Sequence, residues 1–213
     1  MISSVFTDVN MKFLIKGLGL TLYIAIITIA LSIVFGIILA VLKRSDVKAL
    51  RKLSTAYIEL FRNIPLLLCI LTMRFLVPLP ALYTGILALT LFTSAIIAEI
   101  ISGGLNSIKP GQYEAAYSQG FSKFQTLIYI VLPQAVTNML PSLLSQFITV
   151  IKDTSFLWAV GIEELTGKGM ILMGSFGTST QVFILFAALM AMYFTINFLL
   201  SLVVRSKKLS PSY

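Results

Sequence analysis

Long hydrophobic runs separated by short polar segments make up most of the chain. A helix needs roughly 20 apolar residues to cross a bilayer core about 30 Å thick. Runs of about this length lie at residues 17–42, 53–77, 82–103, 135–156 and 182–204. The second run is the least regular, because Glu59, Arg62 and Arg74 interrupt it. The pattern therefore predicts an all-α, polytopic membrane helix bundle with five transmembrane helices.

Basic residues in the loops predict how this bundle is oriented. The loop between the first two runs contains Lys43, Arg44, Lys48, Arg51 and Lys52. Because cytoplasmic loops are enriched in Lys and Arg, this loop is expected inside the cell. Five spans then place the N-terminus outside and the C-terminus in the cytoplasm, together with the loop at about 104–134. We expect a single membrane domain over residues 1–213, with its core at about 13–205.

The composition supports this class of protein and argues against others. The 213 residues have a mean hydropathy of +0.97, and only 11% of them are charged, which is too few to cover a soluble domain. Basic loops at a membrane account for the net charge of +8, so we expect the lipid bilayer and not nucleic acid as a partner. The chain has no histidine and one cysteine, so we expect no enzyme activity of its own, no metal site and no cofactor.

The predicted cytoplasmic loop contains a polar stretch, EAAYSQGFSKFQTLIYIVLP, at residues 114–133. Apolar residues in and just before this stretch recur every three or four positions, the spacing of one helix face. They are Tyr113, Tyr117, Phe121, Phe124 and Ile128. Gly120 interrupts the stripe and predicts a turn or a close backbone contact. Taken alone, the pattern is typical of an amphipathic helix on the bilayer surface.

The residue spacing in this stretch also resembles the EAA motif of ABC importer permeases. The matching residues are Glu114, Ala115, Ala116, Gly120, Ile130, Leu132 and Pro133. In that family the segment forms coupling helices that dock into a groove on a cytoplasmic ATPase. The resemblance therefore implies that these residues couple the membrane helices to an ATPase dimer. The chain itself has no G-x-x-x-x-G-K-[ST] loop for ATP phosphates.

Further stretches resemble the polar amino acid subfamily of these permeases, which have the ABC transmembrane type-1 fold. They are GLGLTLYIAI at 17–26, ELFRNIPLLL at 59–68, AEIISGGLNSIKPGQYEAA at 98–116 and IKDTSF at 151–156. Ser102, Gln146 and Phe156 depart from the residues usual in the subfamily. The resemblance implies a permease subunit in a bacterial cell membrane that forms the path for a polar amino acid.

The same resemblance implies three kinds of protein partner. They are the ATPase dimer, a second permease chain that is identical or homologous, and an extracellular or periplasmic amino-acid-binding protein. Five helices are few to enclose a transport path, which also favours the pairing of two permease chains. The alternative is an ion-coupled secondary transporter or channel, which would have inverted repeats and would function without an ATPase. The odd number of spans and the stretch at 114–133 argue against that alternative.

Charged residues inside the predicted spans are costly in a membrane, and they are usually paired or functional. Glu59 and Arg62 lie three residues apart and can pair on one helix face. Glu99 is expected to be a partner for basic groups near the central loop. We interpret Glu59, Arg62 and Glu99 as structural intramembrane charges.

A second set of polar residues lies in the predicted outer half of the fourth span. Lys152 and Asp153 are adjacent and so point in different directions on a helix; Thr154 and Ser155 follow them, where a helix can loosen. Two interpretations remain open: Lys152, Asp153, Thr154 and Ser155 line a substrate path, or the two charges pair with other helices. The next segment, 161–181, is rich in Gly, Ser and Thr and is expected to be a solvated outer loop.

Overall fold

A computed structural model describes the backbone of residues 5–208 and the side chains of residues 5–202. All regular elements in this part of the chain are helices, which confirms the all-α prediction. They are α1 (Asp8–Lys43), α2 (Lys48–Asn63), α3 (Leu66–Leu76), α4 (Ala81–Asn106), α5 (Pro110–Ser118), α6 (Lys123–Gln125), α7 (Leu132–Asp153), α8 (Leu165–Met173) and α9 (Ser179–Lys208). A π-helical turn (Thr126–Val131) joins α6 to α7, and a 3₁₀ segment (Thr154–Val160) follows α7.

Four helical stretches are long and apolar enough to cross a membrane by themselves. They are Asp8–Lys43, Ala81–Asn106, Lys123–Val160 and Ser179–Leu202. The first three each contain one of the predicted spans, and the fourth covers residues 182–202 of the span predicted at 182–204. The first begins nine residues earlier than predicted because the Thr7 side chain caps α1 by accepting a 3.2 Å hydrogen bond from the Asn10 N–H.

The predicted second span is not one continuous helix, so the prediction for residues 53–77 is wrong in this respect. The helices α2 and α3 meet at a bend of 111°. Pro65 causes the break, because its ring disfavours helical geometry at the preceding residue. Ile64 accordingly has φ −101° and ψ 149°, and α3 begins directly after Pro65. When the bent pair is counted as one crossing, the fold has the predicted five spans.

The contacts between α1 and α4 show that this bent pair must return the chain across the bundle. Ser32 Oγ donates a 3.3 Å hydrogen bond to the Thr90 carbonyl, and further along both helices Lys43 Nζ lies 2.6 Å from Glu99 Oε2. Because the contacts advance in the same direction on both helices, α1 and α4 run parallel. The chain between them therefore has to travel from the end of α1 back to its start.

Small residues on one face of α1 allow this close packing. The small buried residues of that face are Gly17, Thr21, Ala25, Thr28, Ser32, Gly36 and Ala40. Such small residues let membrane helices approach closely. At Gly36 the approach is tight enough that an added Cβ would lie 2.6 Å from Ile97 Cγ2. The composition of α1 thus positions it directly against α4.

The remaining helices define two distinct ends of the bundle. Asn138 of α7 donates a 2.8 Å hydrogen bond to Ser107 just after α4, whereas Ile151 of α7 packs in a cluster with Ala25 of α1. Therefore α7 runs antiparallel to α1 and α4. The loop after α1 and the helices α5 and α6 lie at one end, which we call the basic end. Because the Leu165 N–H donates to Thr21 Oγ1 at 3.1 Å, α8 lies near the start of α1, at the α8 end.

The segment at 161–181 is only partly a solvated loop. Residues 165–173 form α8, and Leu165, Gly167 and Gly169 are buried. The expectation of a solvated loop is therefore wrong for this part, because α8 packs into the bundle between α1 and α9. Its Gly and Thr residues allow close approach rather than solvent exposure.

Candidate coupling segment and transport path

The helix α5 and the turn after it are built by local sequence signals. Pro110 occupies the first turn of α5, where its missing N–H costs nothing. At the other end, the N–H of Phe121 donates to the Ala116 carbonyl at 3.1 Å, and that of Gly120 donates to Tyr117 at 3.0 Å. Gly120 has φ +84°, a left-handed conformation that glycine adopts at little cost. The structure thus places Gly120 in a sharp turn between α5 and α6.

A capping box starts the next helix immediately after this turn. The Gln125 N–H donates to Ser122 Oγ at 3.3 Å, and the Ser122 N–H donates to Gln125 Oε1 at 2.9 Å. The apolar stripe expected from Tyr113 to Ile128 therefore does not lie on a single helix. The competing signals of Gly120 and Ser122 end one helix and begin another.

The predicted coupling residues form a surface that is largely uncovered within the described chain. Glu114, Ala115, Gly120, Leu132 and Pro133 are exposed, Ile130 is half-buried, and Ala116 is buried. No hydrogen bond or ion pair of the Glu114 carboxylate is formed with residues 5–202. The neighbouring Tyr117 and Phe124 are 47% and 72% exposed. We call Glu114, Ala115, Tyr117, Gly120 and Phe124 the coupling surface.

Two hydrogen bonds connect the coupling segment and the end of α4 to α7. Gln134 Nε2, in the first turn of α7, donates to Gln112 Oε1 of α5 at 3.1 Å. One turn later, Asn138 Nδ2 donates to Ser107 Oγ at 2.8 Å. The predicted coupling residues Ile130, Leu132 and Pro133 lie at the junction of the π-helical turn with α7. These bonds tie α5 and the end of α4 to the first two turns of α7.

The three predicted structural charges do not form a single group. Glu99 Oε2 lies 2.6 Å from Lys43 Nζ and 3.7 Å from Arg62 Nη1. These two contacts join α4 to α1 and to α2 at the basic end. From their spacing in the sequence, Arg62 was able to pair with Glu59, but in the structure Arg62 lies against Glu99 instead. Glu59 is exposed, and its backbone carbonyl accepts a 2.7 Å hydrogen bond from Asn63 Nδ2.

The polar residues at the end of α7 lie where the helix changes geometry. At Asp153 the α-helix ends, and Thr154–Val160 continues as a tighter 3₁₀ segment. Thr154 is buried and donates to the Ile151 carbonyl at 2.8 Å, whereas Ser155 is half-buried. Lys152 is exposed and Asp153 is half-buried. Neither side chain forms an ion pair or hydrogen bond with the described residues, so the structure shows no inter-helix pairing there.

A buried carboxylate at the α8 end was missed by sequence analysis. Glu164 is fully buried; its Oε2 accepts hydrogen bonds from Tyr193 OH at 2.8 Å and Thr21 Oγ1 at 3.2 Å, and its Oε1 accepts from the Gly167 N–H at 2.8 Å. Burial raises the pKa of Glu164, and these donors oppose the shift. Glu164 thus connects α8 to α1 and α9. No local sequence pattern indicated this burial, because two of the donors lie on helices far away in the chain, Thr21 on α1 and Tyr193 on α9.

Comparison with known families identifies the class of this fold. The sequence matches the family described as "Binding-protein-dependent transport system inner membrane component" over residues 32–208, and the chain belongs to this family. The prediction of an importer permease is therefore confirmed. In this family the ATPase is a separate subunit, and a substrate-binding protein and a second permease are the partners that membership implies.

Individual relatives with similar sequences are permeases named for particular amino acids. The chain is 40% identical over 205 residues to the "Probable glutamine ABC transporter permease protein GlnP" of Bacillus subtilis (strain 168), with 94% of each chain covered. It is 31% identical over 208 residues to the "Glutamate/aspartate import permease protein GltK" of Escherichia coli O157:H7, with 92% of each covered. These names confirm the resemblance to permeases of polar amino acid importers.

Solved structures agree with this fold. A chain from the "Crystal structure of an amino acid ABC transporter with histidines" has a TM-score of 0.85 at 30% identity, with 92% of each chain covered. A chain of the MetNI methionine ABC transporter in an inward-facing conformation has a TM-score of 0.76 at 21% identity, over 95% of this chain and 99% of that one. At this sequence identity, the second structure shows a shared fold and nothing more.

Proposed function

We propose that this chain carries a polar amino acid across a bacterial cell membrane, in a complex with a second permease chain and a cytoplasmic ATPase dimer. The coupling surface is the observation that carries the proposal. Its exposed carboxylate, small residues and turn glycine are suited to a docked protein, because Ala115 and Gly120 permit close approach and Glu114 can accept charge-assisted hydrogen bonds. The relatives named for glutamine and for glutamate and aspartate support this class of substrate.

The basic end faces the cytoplasm in this proposal. The loop after α1 and the coupling surface lie at the same end, and the basic residues Lys43, Arg44, Lys48, Arg51 and Lys52 lie in that loop and in the helix turns on either side of it. The α8 end then faces outward, where an amino-acid-binding protein would deliver substrate. The basic C-terminal residues at 205–208 lie outside the side chains that the structure describes.

Coupling would act through α7, which is continuous past its internal Pro141. It has 22 residues, which corresponds to about 33 Å in an α-helix. The hydrogen bond between Gln112 and Gln134 ties α5 to one end of α7, and Lys152 and Asp153 lie at the other end. Closure of the ATPase dimer on ATP would move α5, tilt α7 and change which side of the membrane the path opens to. Nucleotide drives this switch only through its different affinity for the two states.

Lys152 and Asp153 are the candidate substrate contacts along this path. Charges within a span usually face a bundle interior or a wet cavity, and these two have no partner within residues 5–202. An amino acid carries both an ammonium and a carboxylate, so adjacent charges of both signs match it. Thr154 and Ser155 continue the polar stretch where the helix tightens.

Reconstitution of the complete complex tests this function. Proteoliposomes would contain the permease, its ATPase and its binding protein, with ATP enclosed and labelled glutamine, glutamate or leucine supplied outside. We expect uptake of a polar amino acid that requires ATP and both partner proteins, and much less uptake of leucine. Uptake by the permease alone, driven by an ion gradient without ATP, would instead establish a secondary transporter.

A further inference from the structure

An apolar groove of about 1110 Å³ lies at the basic end of the bundle. Ile37 of α1, Ile101 of α4 and Val136 of α7 line its walls, and Arg44, Ser45 and Asp46 lie at its rim. The groove is larger than the roughly 300–1,000 Å³ typical of pockets for small ligands. Its size and its apolar walls favour a long hydrocarbon occupant over a small polar solute.

The walls of the groove are left uncovered by the described chain. Ile37 and Val136 are 48% and 42% exposed, and Val41, near the rim, is 64% exposed. Near the surface of a bilayer, such a groove would hold acyl chains rather than water, because apolar surface left against water costs roughly 25 cal/mol per Å².

The charged residues at the rim and just after it favour a lipid with an anionic headgroup. Lys43 is neutralised by Glu99 at 2.6 Å, but the Arg44 guanidinium donates at 2.8 Å only to the neutral Asn106 amide oxygen, so its charge is not compensated by a described residue. The basic residues that follow in α2 have no ion pair with residues 5–202: Lys48, Arg51 and Lys52. Asp46 is the one acidic residue between positions 43 and 52. At the rim itself Asp46 offsets the charge of Arg44, so the excess of positive charge beside the groove comes from the three basic residues of α2 that follow the rim in sequence.

We propose that this groove binds an anionic phospholipid, with its acyl chains between α1, α4 and α7 and its phosphate at Arg44. A guanidinium matches phosphate oxygens with two parallel N–H donors, and basic pockets between membrane helices bind anionic lipid headgroups. Tyr113 of α5 also lines the groove, so the bound lipid contacts the coupling helix. The proposal concerns lipid binding alone and holds whichever solute the chain transports.

Native mass spectrometry of the purified transporter complex tests this site. The complex would be titrated with phosphatidylglycerol and, separately, with phosphatidylcholine of identical acyl chains. We expect preferential retention of phosphatidylglycerol, and a loss of about fivefold in its retention for Arg44→Gln, the effect of one basic group near a lipid surface. Arg74→Gln removes the same charge on α3, outside the groove, and should change nothing. Equal retention of the two lipids, or an equal loss in both Arg variants, would overturn the proposal.

A matched pair on α1 tests the acyl-chain part of the site. Ile37 and Ile38 are both 48% exposed, but only Ile37 is among the residues lining the groove. Ile37→Trp should fill the groove and reduce retention of both lipids, whereas Ile38→Trp should leave retention unchanged. Equal losses in the two variants would show a general lipid shell and overturn the proposal. With Cys69→Ala as background, disulfide cross-linking of two copies through Ile37→Cys would also overturn it, because a second permease would then occupy the groove.

Discussion

The hydroxyl of Tyr193 donates a 2.8 Å hydrogen bond to the carboxylate of Glu164, which lies 29 residues earlier in the chain. The same carboxylate accepts from Thr21, which is 143 residues away. Three helices, α1, α8 and α9, therefore converge on one fully buried acidic group. A group of this kind is costly to bury unless its hydrogen bonds are satisfied, and here three donors satisfy it.

Replacement of Glu164 should destabilise the fold. Glu164→Ala leaves the donors of Thr21, Tyr193 and Gly167 without their acceptor, and each unsatisfied buried group costs about 1–3 kcal/mol. We expect the apparent Tm of the purified protein to fall by roughly 5 °C or more. The adjacent Glu163→Ala is the control: the Glu163 side chain is 57% exposed, and its 3.1 Å partner Lys168, which is only 13% exposed, still lies over the Phe13 ring when Glu163 is removed, so we expect a smaller fall in Tm. Equal Tm values for the two variants would contradict this role.

The stability that Glu164 contributes should also depend on pH. Because its pKa in the fold is raised above the ordinary value of 4.5 by burial, the folded state holds the proton more tightly than the unfolded state. This contribution is complete below the ordinary pKa and is lost as the pH rises through the raised pKa. As the pH increases from about 4.5, the Tm of the wild type should therefore fall relative to the Tm of Glu164→Gln. A constant difference across the pH series would show that Glu164 does not titrate in this range.

Substitution of Gly120 should impair coupling without affecting membrane insertion. Gly120→Ala places a Cβ on a residue with φ +84°, which costs about 1–2 kcal/mol, although no atom lies within 4 Å of that Cβ. We expect normal membrane abundance, weaker co-purification of the ATPase and a severalfold loss of uptake. Gly111→Ala is the matched control, because Gly111 is also open to a Cβ but lies within α5 at negative φ. If Gly120→Ala supports uptake at the wild-type rate, glycine is not needed at this turn.

Asp153→Asn should reduce transport while the complex remains assembled. The change removes one charge of the proposed path but keeps the size of the side chain. We expect uptake to fall roughly tenfold, the effect of about 1.4 kcal/mol, while basal ATPase activity and subunit stoichiometry persist. The control is Glu163→Gln, which removes an exposed carboxylate at the α8 end and should leave uptake unchanged. Loss of assembly in Asp153→Asn would favour a structural role for this residue.

Single cysteines test the orientation of the bundle. With Cys69→Ala as background, Ser45→Cys and Ser118→Cys at the basic end should resist an impermeant thiol reagent in intact cells. Ser175→Cys, just after α8, should be labelled. Permeabilised cells provide the control, since all three cysteines should then react. Labelling of Ser118→Cys from outside would place the coupling surface on the wrong side for a cytoplasmic ATPase.

The spans and the coupling turn could be predicted because their causes are local. Apolar runs of membrane length predict spans whatever their neighbours are; α1, α4 and α9 each include one, and α7 together with the 3₁₀ segment after it includes another. The turn at Gly120 likewise depends on its own φ and on hydrogen bonds to residues within five positions. The break at Pro65 has an equally local cause, but the hydropathy of the residues around it obscured this signal.

The arrangement of side chains around the charged groups depended on the tertiary fold. Arg62 has Glu59 as a neighbour in sequence, yet it lies against Glu99, because the parallel packing of α1 and α4 brings Lys43, Glu99 and α2 to the same end. Sequence spacing specifies which residues share a helix face, but not which face of another helix lies opposite.

The sequence by itself determined the helical class, the positions of the membrane runs and the turn at Gly120, since these follow from apolar run length and local backbone preferences. Only the tertiary structure decided that α8 is buried, that Glu164 joins it to Thr21 and Tyr193, and that α1, α4 and α7 leave a groove beside Arg44. The physical reason is that a buried carboxylate or an open groove depends on contacts between residues far apart in the chain, which no local pattern encodes.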